Sequence, residues 1–155
     1  MIIPFKESWS EQDPHIAAVQ TGINTSGQAM PKRVDKTWGY ELHYINDTYC
    51  QKLLRFHGEA PELPPEASVY FATPLSELCT SMHFHVIKHE TLLVTSGILT
   101  LQLIINKKRF TYKLPEGTAW VVAPGHIHRL CAYDGPVDVV EASTFDHPDD
   151  SYRVE

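Results

Sequence analysis

From Trp38 onward, apolar and polar residues alternate in short runs. In residues 48–56 (TYCQKLLRF), Cys50, Lys52, Leu54 and Phe56 share one side of an extended chain, because strand side chains alternate with period two. Nine more runs have the same character: TWGYELHYI, SVYFA, LCTSMHFHV, ETLLVTSG, ILTLQLII, RFTYKL, TAWVVA, IHRLCAY and VDVVEAST. They are rich in Val, Ile, Leu, Thr and aromatic residues, and turn formers separate most of them. Asn46-Asp47, Ser96-Gly97, Asn106-Lys107, Pro115-Glu116-Gly117, Pro124-Gly125 and Asp134-Gly135 are the predicted turns. Ten short strands at this spacing predict an all-β sandwich or barrel.

Helical periodicity is weak. DPHIAAVQT predicts one short helix, capped by Asp13 with Pro14 in its first turn. Residues 1–36 are polar and proline-punctuated and read as an N-terminal arm. Residues 37–145 form the β domain, and residues 146–155 form an acidic, polar tail on the surface or beside a rim. The stretch GEAPELPP, residues 58–65, is too rich in proline for a central strand and reads as a loop.

A chain of 155 residues fits one domain with a core of its own. Its net charge of −6 disfavours non-specific binding to nucleic acid or anionic membranes. The one dense basic run, Lys107-Lys108-Arg109, lies between two strand-like segments and reads as a solvated hairpin. No segment approaches the length of a membrane span. The opening MIIPFKESWSEQ lacks the charged and apolar regions of a signal peptide, so the location expected is cytoplasmic. Cys50, Cys79 and Cys131 are far apart without a C-x-x-C, and predict buried thiols in a reducing compartment.

The candidate chemistry is a set of four residues. His83 and His85 form an H-x-H pair that an extended segment turns to one side, with Phe84 facing the opposite way. Glu90 opens the next strand after a bend over 86–89, and His128 begins another strand more than forty positions on. Three imidazoles and a carboxylate suit Mn, Fe, Co, Ni, Cu or Zn without choosing among them. His89 competes with Glu90, and alternation lets only one of the two face inward. His126 is read as a rim residue able to touch substrate. His15, His43 and His57 have no partner pattern and read as ordinary residues.

These motifs resemble the cupin superfamily. Its first motif is matched by His83-x-His85, four residues, Glu90, six residues, Gly97. The second is matched by Gly117, five residues, then Ala123-x-Gly125-x-x-His128, with Pro124 one place later than the family's usual proline. The resemblance covers roughly residues 38–143. It implies a double-stranded β-helix, or jelly-roll barrel, with a divalent transition metal in its mouth, and it selects Glu90 over His89. It also implies a homodimer, with the arm laid across a partner subunit; edge strands that need cover point the same way.

The segment from Trp38 narrows the expectation. Trp38-Gly39-x-Glu41 and Cys50-x-Lys52-x-Leu54 are similar to small cupins related to sugar isomerases. More loosely, they resemble the cupin part of mannose-phosphate isomerase–guanylyltransferase enzymes, and Glu141-x-Ser143-Thr144 with its acidic tail points to the same group. That resemblance implies a sugar or sugar phosphate substrate and aldose–ketose isomerisation or epimerisation. The alternatives are an iron-dependent dioxygenase and a metal-containing binding domain without turnover. Lys52 is the first catalytic and substrate-binding candidate, since an inward lysine requires an anion; Glu90, Glu41 or a phosphate would serve. Glu41 is the candidate for proton transfer, and Tyr133 offers a further cavity hydroxyl. Lys88 and Arg129 are candidates for a phosphate at the mouth, although alternation turns Arg129 away from His128.

Overall fold

The structure, a computed structural model, describes residues 30–58 and 75–155. The helix expected over DPHIAAVQT, the strand SVYFA, nearly all of the loop GEAPELPP, and His15 lie outside the described residues.

The strands are β1 (Lys32–Lys36), β2 (Gly39–Asn46), β3 (Tyr49–Phe56), β4 (His83–Phe84), β5 (Glu90–Ser96), β6 (Ile98–Ile105), β7 (Lys108–Pro115), β8 (Ala119–Val122), β9 (Ile127–Cys131), β10 (Val137–Thr144) and β11 (Tyr152–Arg153). One helical turn, α1 (Leu75–Leu78), precedes β4. A six-stranded sheet runs β1-β2-β3-β10-β5-β8, and a five-stranded sheet runs β11-β4-β9-β6-β7. Their pairings are antiparallel. This is the expected all-β jelly roll.

Two turns show how the sequence shapes the sheets. The chain leaves β5 for the other sheet at Gly97, with φ of 80°. A Cβ there would lie 2.3 Å from the Pro136 carbonyl oxygen, so only glycine fits the corner. Asn106 and Lys107, at φ of 51° and 64°, close the β6–β7 hairpin with both central residues left-handed, the pattern of a type I′ turn.

The core lies between the sheets. Trp38, Leu54, Phe56, Leu92 and Val94 meet Leu99, Leu101, Leu103, Leu114 and Leu130 there. Trp38 stacks on Phe56 with ring centroids 4.3 Å apart. Burying each large apolar side chain contributes roughly 1.5–3 kcal/mol. In β3, Cys50, Lys52, Leu54 and Phe56 are all buried, so a lysine occupies an inward position in an otherwise apolar row.

Several local readings are corrected. LCTSMHFHV is not one strand: only His83–Phe84 is regular, with an isolated bridge between Cys79 and Cys131. Lys32–Lys36, read as arm, pairs with β2, and Tyr152–Arg153, read as tail, pairs with β4. Both are charged, exposed edge strands, which lack the apolar alternation that marks interior ones. Cys79 and Cys131 are not free thiols. They form a disulfide across 52 positions, and Cys50 alone is free and buried. The inference of a reducing compartment from three thiols therefore loses its basis. No helix among the described residues is long and apolar enough to cross a membrane.

Candidate metal centre

The centre is assembled from the inner faces of both sheets. His83 on β4 is the register partner of His128 on β9, so the two imidazoles project to one side. His85 follows β4 directly and completes the group. The ring centroids are 4.5 Å apart for His83 and His128, 5.1 Å for His83 and His85, and 6.0 Å for His85 and His128. One ring nitrogen from each lies within 4.8 Å of the other two. Glu90 enters from the opposite sheet at the start of β5 and is 4% exposed, whereas His89 is exposed.

Backbone carbonyls orient all three rings. Nδ1 of His83 donates to the Ser81 carbonyl at 2.8 Å, and Nδ1 of His128 donates to the His126 carbonyl at 2.9 Å. Nδ1 of His85 donates to the Asp150 carbonyl. A carbonyl can only accept, so each Nδ1 carries a proton and each Nε2 lone pair is left to face the centre. Burial, followed by the neighbouring His128, lowers the His83 pKa to about 4, which keeps that ring neutral at pH 7. Burial also presses His85 down, but Glu90 and the Asp150 carbonyl more than offset this and hold it above its ordinary value.

Glu90 supplies the test of metal fit. Its Oε1 is 2.8 Å from Lys88 Nζ and 3.4 Å from His85 Nε2. Its Oε2 is 3.2 Å from His128 Nε2, yet it is buried without a hydrogen bond of acceptable geometry. With Nδ1 of His128 already protonated, a carboxylate lone pair faces an imidazole lone pair. A cation between them would satisfy both. Three Nε2 donors beside one carboxylate oxygen suit a divalent transition metal. Burial opposes ionisation of Glu90, but His128, His85 and Lys88 hold its pKa well below the usual carboxylate range.

Around this centre lies a buried charge cluster. Lys88, 3% exposed, also contacts Glu141 Oε1 at 2.6 Å and Asp146 Oδ1 at 3.4 Å. Three carboxylates outweigh the effect of burial and raise its pKa. Lys88, read as a candidate for phosphate, thus lies in the cavity wall among these carboxylates. Lys52 pairs with Asp146, rather than with Glu90 or Glu41, and Glu141 faces it across the β3–β10 register. Burial lowers the Lys52 pKa, but these carboxylates raise it further.

The other candidates are scattered. Glu41 and His43 border the same cavity of about 960 Å³ as the imidazoles, with Glu41 Oε2 and His43 Nε2 2.6 Å apart. Arg129 is buried and also borders this space, but its guanidinium is held by Glu155 at 3.2 Å. His126 is exposed, and its carbonyl accepts from Nδ1 of His128. Tyr133 is outside the cavity, 40% exposed, with its hydroxyl 3.4 Å from Cys79 Sγ.

Sequence reasoning misses His43, Glu141, Asp146 and Asp150. Alternation in VDVVEAST places Glu141 inward with Val137 and Val139, which is a usable signal. Asp150 gives none, because its role depends on tail placement. It is 4% exposed and accepts from the amides of Val86 at 2.8 Å, Ile87 at 3.0 Å and Lys88 at 3.0 Å. Those amides overcome the effect of burial and hold its pKa low.

Asp150 thus fixes the bend after His85 with its carboxylate and the His85 ring with its carbonyl. Asp150→Ala is expected to weaken zinc binding about 10–100-fold in competition with a chelating dye, the usual effect of losing an outer support. Asp150→Asn, which keeps one acceptor oxygen, should fall between. Unchanged affinity in both would remove this role.

No family model matches the chain, and no curated protein matches it in sequence. Solved structures do match. The capsular polysaccharide assembling protein CapF from Staphylococcus aureus is 15% identical, with a TM-score of 0.60 over 86% of this chain and 34% of that one. Oxalate decarboxylase from Bacillus subtilis is 11% identical, with a TM-score of 0.62 over 84% of this chain and 33% of that one. The nucleoside dehydratase Pac13 is 14% identical, with a TM-score of 0.59 over 84% of this chain and 92% of that one. This chain therefore spans about a third of the first two and nearly all of the third. At such identities the likeness shows the architecture: the chain folds as a two-sheet jelly roll of the cupin type.

Proposed function

We propose that this chain is a metal-dependent isomerase or epimerase acting on a sugar or sugar phosphate. The fold alone does not select that chemistry, because a decarboxylase and a nucleoside dehydratase share it. The observation that carries the reading is the Glu41–His43 pair, 2.6 Å apart and half-buried in the wall of the cavity that holds the three imidazoles.

Isomerisation and epimerisation both move a proton at the carbon next to a carbonyl. They need a base beside a group that withdraws electrons from that carbonyl. A divalent metal held by His83, His85 and His128, with Glu90 beside it, would supply the electron withdrawal. Glu41 takes the proton from carbon, and His43, hydrogen-bonded to it, receives or returns a proton. The Lys36 ammonium, 3.6 Å from the other Glu41 oxygen, flanks the pair. Lys52 is engaged by Asp146 and belongs to the charge cluster that shapes the wall.

The test is turnover of aldoses and aldose phosphates by protein reconstituted with Mn, Fe, Co, Ni or Zn. Ketose or epimer formation is expected, and Glu41→Gln should lower kcat about 10²–10⁴-fold, the range for loss of a general base, with metal content unchanged. Oxygen consumption by the iron form without ketose would replace this reading with a dioxygenase. Sugar binding without turnover under every metal would leave a non-catalytic domain.

A further inference from the structure

Five cations border the cavity: Lys36, Lys52, Lys88, Arg129 and Arg153. Four are engaged by carboxylates. Lys36 faces Glu41 at 3.6 Å, Lys52 pairs with Asp146, Lys88 contacts Glu90 and Glu141, and Arg129 meets Glu155 at 3.2 Å. Among the described residues Arg153 has no carboxylate partner. Glu155, two positions on, is taken up by Arg109 and Arg129.

The register gives this guanidinium its side. Arg153 on β11 is the partner of His83 on β4, and His83 is the partner of His128 on β9. Register partners in antiparallel strands project to the same face, so Arg153, His83 and His128 form one row across three strands. Tyr152 projects to the opposite face and stacks on Phe84 with ring centroids 5.2 Å apart, which holds the register. One strand step of roughly 5 Å, plus the reach of the arginine stem, separates the guanidinium from the imidazoles. That is the span of a small molecule held at its two ends.

The electrostatics decide which end goes where. Glu90, Glu141 and Asp146 line the interior, and the two inner lysines are already paired with them. A phosphate or carboxylate entering there would break those pairs and meet three like charges. At the mouth it meets an exposed guanidinium, whose fork of donors matches phosphate and carboxylate oxygens two at a time.

We infer that Arg153 anchors the substrate, receiving its phosphate or carboxylate group at the cavity mouth while the carbonyl end faces the three imidazoles. This rests on the reading of the cavity as a sugar-binding site, and it deepens that reading by requiring an anionic sugar.

The experiment is calorimetric titration of the zinc-loaded chain with inorganic phosphate and, separately, acetate. Arg153→Gln is expected to weaken binding of the recognised anion at least tenfold. Arg153→Lys should retain part of it, since the charge remains without the fork. Lys113→Gln, a surface cation outside the cavity, should match wild type, and metal content should be equal in all forms. Loss confined to phosphate identifies a sugar phosphate, and loss with acetate identifies a sugar acid. Equal affinity in wild type and Arg153→Gln for both anions, or no binding of either by wild type, overturns the inference. Phosphate titration needs no turnover, so an aldose screen without product would sink the isomerase reading while leaving this result to stand or fall alone.

Discussion

His128→Ala is expected to abolish metal retention, lowering affinity by more than about 100-fold, beyond what loss of an outer-shell support produces. His128 is 2% exposed, is the register partner of His83, and is the imidazole that faces the unsatisfied oxygen of Glu90. Without it, His83 and His85 offer two nitrogens from neighbouring positions, which cannot surround an ion. Glu90 would then have only Lys88 and His85 to satisfy it. Elemental analysis after dialysis should find about one ion per chain in wild type and almost none in the variant. His128→Gln keeps a polar side chain at the position and controls for folding, and it should lose metal as well. A variant that keeps wild-type metal content and affinity would show that the three imidazoles are not a metal centre.

The second large effect concerns stability. Lys88→Ala should destabilise the domain by about 3–5 kcal/mol in urea unfolding, the range for stranding a buried partner charge. Here Glu90 and Glu141 would be left facing each other with their shared cation removed. Combining Lys88→Met with Glu141→Leu should recover a large part of the loss, because a buried charge pair removed together leaves an apolar contact behind. If the double variant is no more stable than Lys88→Ala, the cluster does not act as an ion-pair network. If Lys88→Ala falls within about 0.5 kcal/mol of wild type, as changes at unconstrained surface positions do, Lys88 is not buried as described.

Much of this architecture is legible in the order of the amino acids. Alternation and spacing single out the H-x-H pair, Glu90 and His128, and the three imidazoles converge as expected. The inward position of Lys52 is also readable, because it shares a face with Cys50, Leu54 and Phe56. What alternation cannot supply is the partner across the sheet. Lys52 meets Asp146, 94 positions away, and Lys88 meets Glu141, 53 positions away, through tertiary placement alone. Lys88 illustrates the difficulty: beside a bend, flanked by exposed Ile87 and His89, it has every local mark of a surface residue. The disulfide escapes for the same reason, since Cys79 and Cys131 become neighbours only when β9 closes against the segment before β4.

The amides of Val86, Ile87 and Lys88 all end on one carboxylate more than sixty residues away. Val86 and Ile87 have exposed side chains, so their N–H groups would exchange quickly with solvent deuterons if the bend stood alone. Bound to Asp150, they exchange only as fast as the last strand lifts away. Their protection factors are therefore a clock for release of the C-terminal segment, and the same opening frees the His85 ring.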